Sequence, residues 1–183
     1  MNFKKVLKFI IKEFAKEQID FALIGGFALD SANVSRATVD VDLLALAEKE
    51  SRIKQIMTAK GYDLIHESAD VMNYIGKQSE LGRVDFLLAH RHYTLAMLQR
   101  SRLKSVFDGN FQVKIIVPED IIGLKVQAST NDPKRFHKDM ADIQMILENN
   151  DHLDMKLICE YFDLFGRGKE LDDLLKGTFY AGS

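Results

Sequence analysis

The sequence predicts an α/β fold: a β-sheet flanked by helices over residues 1–117, with a C-terminal helical segment at 118–177 packed on it. Two observations carry this. In the front part, stretches with an apolar residue at every second position, such as Thr38–Ala47 and Arg83–Ala89, are interleaved with stretches whose apolar residues recur every three to four positions. From Pro118 onward only the helical spacing remains.

The elements follow in order. Phe3, Val6, Leu7, Ile10, Ile11 and Phe14 share one stripe, which makes residues 3–15 an amphipathic helix. Ile19–Ile24 is a continuous apolar run and reads as a buried strand, and a short helix at Phe27–Ala32 follows the pair Gly25-Gly26. Thr38–Ala47 alternates as a strand; Glu48–Lys60 is helical, with Gly61 as the residue that ends it. Tyr62–Glu67, Val71–Ile75 and Arg83–Ala89 read as strands, with Leu81-Gly82 in the turn before the last. Residues 91–101 are helical, and Leu103–Phe107 and Phe111–Val117 flank "DGN", a hairpin signal. "PED" at 118–120 starts a helix, with proline in the first turn and acids at the positive end of the dipole. Helices are expected at 119–128, 134–148, 152–165 and 168–176, and residues 178–183 as a frayed, disordered tail.

Composition narrows the function classes. With 46% hydrophobic and 28% charged residues the chain is globular, and no apolar run reaches the roughly 18 residues that span a bilayer. Lys8, Lys12 and Glu13 interrupt any signal-peptide core. The single cysteine, Cys159, excludes an intramolecular disulfide, suits a reducing cytoplasm and reads as a small buried apolar residue. The net charge of −2 argues against a strongly basic nucleic-acid surface. The one dense basic run, Lys134, Arg135, His137 and Lys138, reads as a solvated helix face. The five histidines lack metal-ligand spacing and read as surface or structural residues.

The stretch "FALIGGFALDSANVSRATVDVDLLA" (Phe21–Ala45) carries the chemistry. In a strand, Val39, Val41 and Leu43 point one way and Thr38, Asp40 and Asp42 the other, with the two aspartate Cα atoms roughly 6.6 Å apart. Two carboxylates side by side repel, and a hard divalent cation removes the conflict: Mg²⁺ takes carboxylate oxygens and completes its sphere with water and substrate phosphate. A strand, then Gly25-Gly26, then a helix start presents free backbone N–H groups, which suit phosphate.

Gly25-Gly26, thirteen intervening residues and Asp40-Val-Asp42 resemble the signature of the polymerase-β-like nucleotidyltransferase superfamily, in which an apolar residue and a glycine pair precede Asp-x-Asp. Arg36 and Thr38 add to the likeness, and "GRVDFLLA" offers Asp85 as the third carboxylate that such enzymes place on a nearby strand. The back half is most similar to minimal and AbiEii-type toxin nucleotidyltransferases, through Lys125 in "PEDIIGLKVQAS" and Asp139 and Asp142 in "KRFHKDMADIQMIL". Arg135, Asp139, Asp142 and Ile146 fall on one helix face.

The resemblance covers roughly residues 19–148 and implies a mixed sheet of nucleotidyltransferase type. It also implies transfer of a nucleoside monophosphate from an NTP to an acceptor hydroxyl, with one or two Mg²⁺ ions. Asp40, Asp42 and Asp85 would hold metal, with Asp85 alternatively the general base. Gly25, Gly26, Arg36, Thr38 and Lys125 would meet the nucleotide, and Asp142 would orient Lys125. The acceptor could be tRNA, a protein hydroxyl or an aminoglycoside-like small molecule, and an antitoxin is a possible partner of the toxin-like class. Phe27 stands where many relatives carry serine or threonine. A catalytically silent nucleotide-binding or protein-interaction member of the same fold is therefore the alternative.

Overall fold

The computed structural model describes residues 1–107, Gly109 and 111–177. Asp108 and Asn110 of the expected hairpin turn, and the expected tail from Thr178, lie outside the described residues. The helices are α1 (Phe3–Lys16), α2 (Gly25–Ser31), α3 (Glu50–Lys60), α4 (His92–Arg100), α5 (Pro118–Asn131), α6 (Phe136–Glu148), α7 (Met155–Leu164) and α8 (Gly168–Leu175). The strands are β1 (Phe21–Leu23), β2 (Asp40–Leu46), β3 (Tyr62–Glu67), β4 (Val71–Gly76), β5 (Arg83–Ala89), β6 (Arg102–Val106) and β7 (Phe111–Ile115).

All seven strands form one mixed sheet in the order β3-β4-β5-β2-β1-β7-β6. The pairs β2–β5 and β1–β7 are parallel, and the others antiparallel. One face of its centre is apolar: Val41, Leu43, Val84, Phe86, Met72 and Tyr74 are all buried there. Helix α1 covers that face, with Phe14 against Phe21 and Phe86, which is why its apolar stripe of Val6, Leu7, Ile10 and Phe14 is buried. Asn2 caps α1 by accepting from the Lys5 N–H. Gly61 ends α3 in the left-handed region, at φ +96°, as expected.

The chain divides into two compact units: Met1–Ala28 with Arg36–Val117, and Leu29–Ser35 with the chain from Pro118. The second unit is built from α5 to α8. Tyr161 lies over Gly123, where an added Cβ would meet its ring at 2.8 Å, and its hydroxyl donates to buried Asp120 at 2.6 Å. Asn149 and Asn150, just past α6, donate to the carbonyls of Asn33 and Ala32 and so tie in the 29–35 segment. Cys159 departs from expectation: α7 buries Ile158, Tyr161 and Phe162, and that phase leaves Cys159 exposed. No helix among the described residues is long and apolar enough to cross a membrane.

Candidate active site

Antiparallel pairing of β1 and β2 sets Leu23 opposite Leu43 and continues with the Ile24 N–H donating to the Asp42 carbonyl at 3.0 Å. The end of β1 therefore arrives beside the start of β2. There the chain turns at Gly25, which sits at φ +61°. A Cβ on Gly25 would lie 2.0 Å from Asp42 Oδ2, and one on Gly26 would lie 2.6 Å from the Thr38 Cβ. The glycine pair is thus required by the side chains packed against it, besides any ligand. Helix α2 begins at Gly25 itself, two residues earlier than the expected Phe27.

Thr38 and Val39 precede the strand instead of opening it. The Thr38 hydroxyl lies 3.0 Å from the Asp40 carbonyl and 3.1 Å from its Oδ1, where it donates. Val39, expected on the same strand face as Val41 and Leu43, is 79% exposed because the strand begins only at Asp40. Val41 and Leu43 are fully buried as expected, while Asp40 and Asp42 on the other face are half-buried.

Parallel pairing of β2 with β5 places Asp42 opposite Asp85 and Asp40 opposite Arg83. Antiparallel pairing of β4 with β5 places Asn73 opposite Asp85. One carboxylate oxygen from each of Asp40, Asp42 and Asp85 lies within 4.8 Å of the others, a grouping of metal-ligand side chains found nowhere else among the described residues. Like charges directly opposite one another destabilise a sheet, so this arrangement calls for positive charge. Arg83 supplies part of it: Nε lies 2.9 Å from both oxygens of Asp85. Asn73 Nδ2 donates to Asp85 Oδ1 at 2.7 Å. The hydrogen bond to Asp85, then its charge and those of Asp40 and Asp42, raise the pKa of Arg83 above its ordinary value. Three half-buried carboxylates without thiolate or imidazole are a hard-oxygen donor set, which fits Mg²⁺. Glu80, the nearest other acid before β5, instead pairs with Lys5 at 2.5 Å.

Of the residues singled out in the sequence, Gly25, Gly26, Thr38, Asp40, Asp42 and Asp85 come together in the first unit, and Arg36 lies half-buried just before Thr38. Lys125 and Asp142 belong to the second unit. There Lys125 Nζ donates to Asp142 Oδ2 at 2.5 Å and Asp139 Oδ1 at 3.2 Å, and Arg135 Nε donates to Asp139 Oδ2 at 2.9 Å. Both carboxylates are buried, so this network belongs to the packing between α5 and α6. Sequence reasoning assigned no role to Asn73 or Arg83. The signal was available in a lone amide within the apolar run "VMNYI" and in Arg-x-Asp at the head of β5. A depression of about 560 Å³ in the first unit, lined by Asn2, Lys4, Lys5, Lys8 and Phe111, contains none of the carboxylates.

None of the curated proteins matches the chain. Several solved structures do. Two structures of ANT(2'')-Ia, an antibiotic-resistance factor solved also in complex with adenylyl-2''-tobramycin, superpose with TM-scores of 0.62 and 0.58 at 14% and 15% identity. They cover 99% and 94% of this chain and 98% and 97% of theirs. The lincosamide antibiotic adenylyltransferase LnuA, lincomycin-bound, gives 0.54 at 16% identity over 80% of this chain and 97% of its own. An antigenic nucleotidyltransferase-like protein from Paracoccidioides brasiliensis gives 0.57 at 16% identity over 96% and 92%. These similarities establish a shared fold. A family model described as nucleotidyl transferase of unknown function (DUF2204) matches residues 3–171, nearly the whole chain. With its glycine turn and three carboxylates on the strands of a mixed sheet, the chain belongs to this nucleotidyl transferase family.

Proposed function

We propose that the protein transfers a nucleoside monophosphate from an NTP to an acceptor hydroxyl in a Mg²⁺-dependent reaction that releases pyrophosphate. One observation carries the reading: Asp40, Asp42 and Asp85 converge within 4.8 Å, with the Gly25-Gly26 turn laid against Asp42. Asp40 and Asp42 would hold the metal, which supplies charge neutralisation for in-line displacement at phosphorus when bound. The acceptor oxygen bonds to the α-phosphorus as the bond to the bridging oxygen of pyrophosphate breaks. Asp85, the third metal ligand or the general base, takes the acceptor proton in the second role. The backbone of Gly25 and Gly26, with Arg36 and Thr38, lies on the donor side in this reading. Lys125, held by Asp142, would carry positive charge for phosphate.

Phe27 serves packing. Its ring meets Phe3 at 5.5 Å and Phe107 at 6.1 Å between centroids, which gives the departure from serine or threonine a structural reason. The hydroxyl acceptors to be tried are tRNA, protein and antibiotic-like small molecules, the last because the fold is shared with ANT(2'')-Ia and LnuA.

The test is incubation of labelled NTPs, with and without Mg²⁺, against each acceptor class, beside thermal melts. Label transferred only with Mg²⁺, and lost in Asp42→Asn, is the expected result. Stabilisation by Mg-NTP without transfer to any acceptor would instead establish a silent nucleotide binder. Transfer by Asp42→Asn at the wild-type rate would refute the metal assignment.

A further inference from the structure

The order of strands gives the site two ends. Reading across the sheet, Gly25 follows the end of β1, Asp40 and Asp42 open β2, Arg83 and Asp85 open β5, and Asn73 stands on β4. The glycine turn thus flanks the carboxylates on one side, and Arg83 with Asn73 flanks them on the other. If the triphosphate lies against the glycines, the acceptor arrives at the Arg83 end, next to Asp85.

Arg83 is built for a ligand at that end. Its Nε is anchored on both oxygens of Asp85, and Asn73 fixes the same carboxylate, so the guanidinium is held in place from below. Its two terminal nitrogens make no hydrogen bond to any described residue, and the side chain is 47% exposed. An anchored guanidinium with both terminal nitrogens open is a planar fork, the geometry that matches two oxygens of a phosphate. The anchor also removes much of the rotamer freedom that a long cationic side chain would otherwise lose on binding.

We propose that Arg83 binds a phosphate of the acceptor, and that the acceptor is therefore a phosphate-bearing hydroxyl compound, not a cationic one such as an aminoglycoside. The inference rests on the nucleotidyltransferase reading above and names the substrate class for the same site. Charge bears on the choice: a polycationic acceptor would meet a like-charged guanidinium beside the reacting hydroxyl, whereas a phosphate of an anionic acceptor would meet its opposite charge there. Two sources share this chemistry, the terminal nucleotide of an RNA strand and a free mononucleotide, and both carry a hydroxyl close to a phosphate.

The test is equilibrium binding of a fluorescent single-stranded RNA with a free 3′ hydroxyl, competed with 5′-mononucleotide or with kanamycin. Wild type is compared with Arg83→Gln and Arg83→Lys, and Mn²⁺ titration by electron paramagnetic resonance runs in parallel. Arg83→Gln should weaken RNA binding about tenfold, the scale of a lost hydrogen bond between charged groups. It should also lower the salt dependence of log K by about 0.7, one phosphate contact on a single strand. Arg83→Lys should recover the salt slope but only part of the affinity. Mn²⁺ binding should be retained or tightened in both variants, which a collapsed site would not allow. Displacement of the RNA by mononucleotide only at concentrations far above the RNA's own Kd assigns a strand as acceptor; displacement near that Kd assigns the free nucleotide. RNA binding by Arg83→Gln with wild-type affinity and salt slope, or kanamycin displacing the RNA at lower concentration than mononucleotide, overturns the proposal. Absence of Mn²⁺ binding by wild type would strike the metal reading alone, since the RNA arm is read without metal.

Discussion

Gly25 combines two constraints at one residue: a left-handed backbone and a carboxylate pressed against its Cα. Gly61 has only the first, since at φ +96° its nearest neighbour would stand 4.0 Å from an added Cβ. Alanine at either position should cost about 1–2 kcal/mol for the left-handed conformation. Only Gly25→Ala must also displace Asp42, so it should weaken Mn²⁺ binding severalfold while Gly61→Ala leaves it intact. Calorimetric Mn²⁺ titration beside urea melts separates the two effects, and equal Mn²⁺ affinity in both variants would dissociate Asp42 from the metal. The same kind of contact constrains Gly26. A valine there strikes Thr38 and should lower the melting temperature as well as triphosphate affinity. Asp85→Asn keeps size and hydrogen bonding but cannot take a proton. It should retain Mg-NTP binding within a few fold yet lose transfer by roughly 10²-fold, the scale of a general base. Transfer near the wild-type rate would exclude Asp85 as the base. Asp-x-Asp and the glycine pair were legible in sequence because spacing alone marks them. The reason for the glycines was not, since Asp42 and Thr38 reach them only through strand pairing.

Among the elements, the contact between α5 and α6 holds the charges whose removal should cost most. Asp139 and Asp142 are buried, and Lys125 is the cation they share. Lys125→Ala leaves two buried carboxylates short of their counter-charge and should destabilise the fold by about 3–5 kcal/mol. Asp142→Ala should cost less, because Asp139 still engages Lys125. Urea denaturation of the singles and the double should therefore be strongly non-additive; additive losses would mean that the pair is uncoupled. The i, i+3 spacing of Asp139 and Asp142 was readable in sequence, but their burial depends on how α5 meets α6. At β3 and β4, burial pushes the hydroxyls of Tyr62 and Tyr74 up to about 12 from 10.0. Unfolded tyrosines ionise first, so the stability from these groups is fully present below pH 10 and is lost as pH rises toward 12. The loss should approach about 3 kcal/mol per group, as that rise in pKa implies. Tyr74→Phe should flatten part of that alkaline decline in urea midpoints between pH 8 and 11.5; an unchanged decline would place its origin elsewhere.

For the molecule as a whole, the sequence disclosed an α/β front and a helical back, because period-two and period-3.6 patterns are local properties. Sheet order is not local. That β1 would lie antiparallel to β2 yet parallel to β7, or that Arg83 would stand opposite Asp40, follows from crossovers that no spacing encodes. Cys159 illustrates the limit from the other side: residue type favours burial, and the phase of α7 decides against it. The parallel pairing of β2 with β5 also has a consequence in time. Asp85 is synthesised well after Asp42, with α3, β3 and β4 between them. A nascent chain whose β5 is still inside the ribosome holds two aspartates without the third carboxylate or the arginine, and translation at about 5–20 residues per second keeps it so for seconds. Ribosome-stalled chains of increasing length should therefore acquire full Mn²⁺ affinity in one step, when β5 emerges and docks. The site is thus completed only once β5 has emerged, and a chain truncated before β5 would remain inert even if its helices and hairpins were already formed.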